Sequence, residues 1–133
     1  MFRGVEIIDP RGAALGEFDR IEDGLLVKEK SAQGLGRIDP RTGQPAQTAE
    51  SWAQKHIYHK TVVRIENLEI AKGTRVTVGG TPNVPTLAEV QAIRNLEFRI
   101  QSATPAVRGA VESQLQSLRA KYPNWRFGAK FGE

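Results

Sequence analysis

The spacing of hydrophobic and polar residues changes period several times along the chain, and each change predicts an element. Phe2 to Ile8 (FRGVEII) reads as a first strand, stopped by the turn-forming Asp9-Pro10-Arg11-Gly12. GEFDRI and LLVKEKS follow as short strands around Asp23-Gly24, the dipeptide best suited to a type I′ hairpin turn. The chain therefore opens with an antiparallel meander. Ser31 to Gln47 is rich in Gly, Pro and polar residues and reads as a loop. Its IDPRTG run echoes the earlier IDPRG as repeated turn chemistry rather than as a repeat unit.

Thr48 is a candidate N-cap for a helix running from Ala49 to Lys72, ended by Gly73. Ala53, Ile57, Ile65 and Leu68, with Trp52 and Val63 alongside, recur near helical spacing. The β-branched run Thr61-Val62-Val63 argues for a shorter helix. Thr74 to Val78 is a short strand, and Thr86 with Glu89 forms a capping box for a helix to about Asn95. Leu96, Phe98 and Ile100 alternate on one face of a half-buried strand. Thr104-Pro105 opens a second long helix with a Val107, Val111, Leu115, Leu118 stripe, stopped at Tyr122-Pro123 before a last strand at 125–131. This order predicts an α/β or α+β fold, a mixed sheet with two long helices packed on it.

At 133 residues the chain, 1–133, reads as one domain with a modest core. Its composition is that of a soluble globular protein; no apolar run reaches membrane-span length and Met1-Phe2-Arg3 opens no signal peptide. The absence of cysteine removes disulfides, thiolate metal sites and cysteine nucleophiles together. Net charge is +4, unevenly placed: residues 1–50 hold 7 Lys/Arg against 9 Asp/Glu, and residues 51–133 hold 12 against 6. Acids for a metal joined to cations for phosphates suit a nuclease. No P-loop, dinucleotide fingerprint, GxSxG or HExxH is present, and no small-molecule cofactor is implied.

Chemistry concentrates in the first hairpin. With the turn on Asp23-Gly24, Asp19 lies opposite Lys28 and Glu17 opposite Lys30, so two acids and two lysines share one face. Such pairs are also ordinary decoration on the wet face of a ribbon. Glu17 and Asp19 could hold Mg²⁺ or another divalent cation, with a lysine orienting water and stabilising phosphate charge. An acid pair followed by a lysine on adjacent antiparallel strands, then a helix, is the arrangement of PD-(D/E)XK nucleases. Here Lys28 takes the place of the acid expected two residues before Lys30, and Glu29 should point away unless a bulge re-aims it. Gln54 and Tyr58 match the QxxxY helix element of some of these nucleases. His56 and His59 permit a second chemistry, a metal-free ribonuclease in which they work with Lys60, Arg64 and Glu17.

Read together, GEFDRIEDGLLVKEKSA and QTAESWAQKHIYHKTVVRIENL resemble the tRNase toxin tips of contact-dependent growth inhibition (CdiA-type) exoproteins. The resemblance implies a restriction-endonuclease-like fold and an antibacterial toxin that cuts RNA, tRNA first among candidates. It also implies secretion as the tip of a larger exoprotein, action in the target-cell cytoplasm, and neutralisation by a cognate immunity protein presenting acids. Glu17, Asp19, Glu29 and Lys30 carry over as the catalytic cluster, with Glu17 and Asp19 as metal ligands. Lys28, Gln54, His59 and Lys60 carry over as substrate-facing groups, and Arg64, Arg75, Arg94 and Arg99 are candidates for backbone phosphates. From another class, a non-enzymatic nucleic-acid- or protein-binding module with a merely salt-bridged hairpin also fits the residues.

Overall fold

The structure, a computed structural model, describes residues 1–35, 37–45 and 47–132. The opening stretch forms β1 (Phe2–Ile8), β2 (Ala14–Glu22) and β3 (Leu25–Ser31). Asp23 and Gly24 take φ of 49° and 72°, the left-handed pair that a type I′ turn requires. The echoed IDPR runs do share a device: Oδ1 of Asp9 accepts the Arg11 N–H, and Oδ1 of Asp39 accepts the Arg41 N–H. In the loop after β3, Ile38 and Pro45 form an isolated bridge; Gly36 and Ala46 lie outside the described residues.

β4 (Gly73–Val76), β5 (Asn95–Gln101) and β6 (Arg126–Phe131) complete a mixed six-stranded sheet, ordered β4-β1-β2-β3-β5-β6. β1 is antiparallel to β2 and β4, and β2 to β3, whereas β5 runs parallel to both β3 and β6. With its helices the fold is α+β.

One long helix links β3 to β4. It comprises α1 (Ala49–Ala53), a π-helical segment (Gln54–His59) and α2 (Lys60–Ile70). Thr48 caps it, accepting the Ser51 N–H in a reciprocal capping box. Beside Trp52, its buried residues Ala53, Ile57, Thr61, Ile65 and Leu68 step mostly by four. In a pure α-helix each such step overshoots by about 40°, and the wider π turns take up that drift. Val63 falls off the stripe and stands exposed. Short α3 (Leu87–Ala92) begins at the Thr86–Glu89 capping box. α4 (Pro105–Lys121) joins β5 to β6 and buries Val107, Val111, Leu115 and Leu118 as its stripe predicts. None of the described helices is long and apolar enough to cross a membrane.

A single core cluster ties Leu96, Phe98 and Ile100 of β5 to Trp52, Ile57 and the α4 stripe, and Val5, Ile7 and Phe18 to Ile65 and Leu68. The other side of the sheet carries ion pairs instead. Arg20 bonds Glu29 at 2.8 Å, Arg99 bonds both Glu22 and Glu97, and Lys130 lies 3.7 Å from Glu97.

Candidate active site

β2 and β3 are paired only near their turn, through Arg20–Val27, Ile21–Leu26 and Glu22–Leu25. Beyond Arg20 the ladder stops, while β3 stays paired with β5 from Leu26 to Ser31. One strand further over the backbone is also unusual. Gly4 of β1 has φ +62°, and a Cβ there would stand 2.0 Å from Thr77 Oγ1. Both β1 and β2 change the face they bury across this point: Val5 gives way to Phe2, and Phe18 to Ile21, steps of three rather than two. Asp19 stands at the change in β2. Its Oδ2 accepts the Glu29 N–H at 2.7 Å and meets Lys28 Nζ at 3.1 Å, so a side chain replaces the missing ladder bond.

Lys28 and Lys30 are registered with Phe98 and Ile100, whose side chains are buried, and therefore face the helical layer rather than open solvent. The wet-face reading of the hairpin is corrected for these two lysines: Lys28 is 8% exposed. α2 brings Arg64 close enough to act on both lysines, and Thr61 precedes it by three residues on the same helix. Thr61 is fully buried, and its Oγ1 has no hydrogen-bond partner among the described residues. Nε and Nη1 of Arg64 are likewise buried and unpartnered. A buried donor without an acceptor costs roughly 1–3 kcal/mol, and more when charged. Several such donors at one place call for an anion or ordered water.

The electrostatics follow from the crowding. Burial lowers Lys28, Arg64 nearby lowers it further, and Asp19 partly restores it. Lys30 lacks a carboxylate in contact; burial, then Arg64, Lys28 and Lys60, bring it down to about 7. Burial pulls Arg64 down too, against the pull of Asp19 and Glu17. His56 falls to about 4, through burial and then the charges of Lys60, Lys30 and Lys55. Beside the cluster, Leu15, Gly16, Lys55, His59, Lys60, Val63 and Arg64 line an open cavity of about 300 Å³.

The sequence-predicted residues divide clearly. Asp19, Lys28 and Lys30 meet at the seam, Lys60 acts on Lys30, and His59 and Lys60 line the adjoining cavity. Glu17 is registered with Glu6 of β1 rather than with Lys30, though its charge is felt at Lys28 and Arg64. Glu29 points to the other face, held by Arg20, and no bulge re-aims it. Gln54 is exposed in the π segment. Tyr58 is half-buried, edge-on to His59 at 5.5 Å, and it is Tyr122 that its hydroxyl acts on. Of the four arginines only Arg64 reaches the seam. Arg75 pairs with Glu6 and donates to the Gly12 carbonyl, Arg94 covers Trp125 at 5.5 Å, and Arg99 belongs to the opposite face.

Thr61 is the polar residue that sequence reasoning missed. Its signal was present in the Ile57, Thr61, Ile65 spacing, which puts a hydroxyl inside an apolar stripe. As for a divalent cation, no group of three His, Asp or Glu side chains gathers among the described residues. Asp19 Oδ2 takes both Lys28 and the Glu29 amide, so an ion at this carboxylate would lie beside the Lys28 ammonium. As they stand, these donors fit an anion. Comparison with known protein families, with curated proteins and with solved structures finds no match.

Proposed function

We propose that this domain is a ribonuclease whose scissile phosphate sits at the β2–β3 seam. The observation that carries the reading is the pair of unpartnered, buried guanidinium nitrogens of Arg64, Nε and Nη1, whose charge acts on both Lys28 and Lys30. A phosphate offers oxygens to all of these donors, and its charge offsets their mutual repulsion.

Lys30 is the general base. A group titrating at about 7 is largely neutral just above neutrality yet still basic, the balance that proton transfer needs. His56, at about 4, is a far weaker base. Neutral Lys30 takes the proton of the ribose 2′-hydroxyl, that oxygen attacks phosphorus, and the 5′-oxygen leaves with a proton from solvent. A 2′,3′-cyclic phosphate and a 5′-hydroxyl end result. Arg64 and Lys28 stabilise the charge that builds on the phosphate, and Asp19 fixes Lys28. The reading keeps the toxin role and the restriction-endonuclease-like likeness that the hairpin and helix residues imply, with tRNA as leading substrate and an acidic immunity protein as partner.

Mg²⁺-assisted hydrolysis is a second reading, favoured by Glu17 and Asp19 both acting on the cluster. Incubating purified protein with RNA in EDTA separates the two. Cyclic-phosphate ends formed in chelator, and lost in Lys30→Met and Arg64→Ala, support the base mechanism. Cutting that EDTA abolishes and Mg²⁺ restores supports the metal route. RNA left intact under every condition, with binding retained, leaves a non-enzymatic module. Growth arrest on expression, relieved by the neighbouring downstream gene, tests the toxin role.

A further inference from the structure

The cavity beside the seam has two kinds of wall. Leu15, Gly16 and Val63 give apolar lining, while Lys55, Lys60 and Arg64 give cations and His59 an imidazole. Its arrangement follows from the long helix. Lys55, His59 and Val63 form one row of four-residue steps, Lys60 and Arg64 belong to the next, and the π segment keeps both rows aligned. β2 supplies the opposite wall, where Gly16 keeps it low: a Cβ there would touch Arg64 Cγ at 3.5 Å and Ile7 Cδ1 at 3.6 Å. Val63 is 54% exposed, an apolar side chain left in water at the mouth.

Resting on the ribonuclease reading, we infer that this cavity is a nucleoside subsite, seating one unpaired nucleotide next to the phosphate held by Arg64. Three observations choose that occupant. Arg64 belongs to both the seam and the cavity, so the two are continuous and a strand engaging one reaches the other. The rim is uniformly cationic or imidazole and has no carboxylate, which suits a sugar-phosphate chain. A volume of about 300 Å³ is at the small end for ligand pockets, enough for one base and its ribose but not for a base pair. The flat face of the base lies on Leu15 and Val63 while Lys55 and Lys60 take the flanking phosphate. The enzyme then selects loops and single strands over duplex, because a paired base must first leave its stack.

Calorimetric titration with inorganic phosphate, ribose 5-phosphate and adenosine 5′-monophosphate measures what the base adds. Burial of one face of the base on Leu15 and Val63 makes the nucleotide bind about 10-fold more tightly than ribose 5-phosphate. Val63→Ser, a neutral change at an exposed position, should erase much of that gain while phosphate binding persists. In parallel, cleavage of a stem-loop RNA should fall in the unpaired loop. Equal affinity for the nucleotide and ribose 5-phosphate, or cutting in the stem as fast as in the loop, overturns the subsite but leaves the seam chemistry standing. Failure of inorganic phosphate to bind at all, or cleavage retained in Arg64→Ala, overturns the underlying reading and the subsite with it.

Discussion

A lysine titrating at about 7 gives the domain a pH signature that can be read twice. In the unfolded chain Lys30 returns to its ordinary 10.5, so that chain binds more protons between about 7 and 10.5. Stability therefore rises with pH across this window, and the cost of holding the charge is fully present below 7. Urea midpoints should increase from pH 7 to 9.5 in the wild type and rise less in Lys30→Met, where the lowered Lys28 still contributes. Activity should fall on the acid side of 7 as the base is protonated, and the kcat limb should lie higher than the kcat/KM limb because bound phosphate favours the charged lysine. Thr61→Val tests the neighbouring hydroxyl. It removes a buried unpaired group with little change of shape, so stability should rise by about 1 kcal/mol while cleavage weakens. The facing of Glu29 away from Lys28 was legible from strand period alone. The burial of Lys30 was not, because it comes with a helix that begins nineteen residues further on.

At the scale of elements, the caps at Thr48, Thr86 and Thr104 and the Asp23-Gly24 turn were all readable, each being local chemistry confined to four residues. Gly24 at φ +72° makes Gly24→Ala cost roughly 1–2 kcal/mol, measurable in the denaturation midpoint. Two features escaped the sequence reading because they depend on partners. The π segment shows only as four-residue spacing, which resembles an ordinary stripe. The face change in β2 falls between its Phe18 and Arg20 pairs with β1, beside Gly4, a residue of another strand packed against Thr77. Beyond it Glu17 and Lys30 do not pair although turn register predicts it. Asp19→Ala tests the seam: it strands Lys28 and frees the Glu29 amide, and should destabilise by about 3 kcal/mol. Asp19→Asn keeps an acceptor for the amide and should cost less.

On the whole molecule, the half-to-half charge split proved a poor guide to the site, which draws Lys28 and Lys30 from the acidic half and Lys60 and Arg64 from the basic one. Much of the remaining basic excess lies elsewhere: Arg108 covers Phe131 and Arg119 pairs with Glu112. The mixed sheet and two long helices were legible as a class, whereas strand order was not, since nothing local tells β5 to insert beside β3. RNA affinity should fall steeply with salt, and removing Lys60 should shallow the slope by about one unit in a log–log plot. β3 is the strand on which all this rests. Each backbone group that it gives up toward β2 lies in a strand fully stitched to β5, so the notch is cut from one margin of an otherwise intact ribbon. Its width is therefore free to vary through changes confined to β1 and β2, without disturbing the framework that holds the lysines.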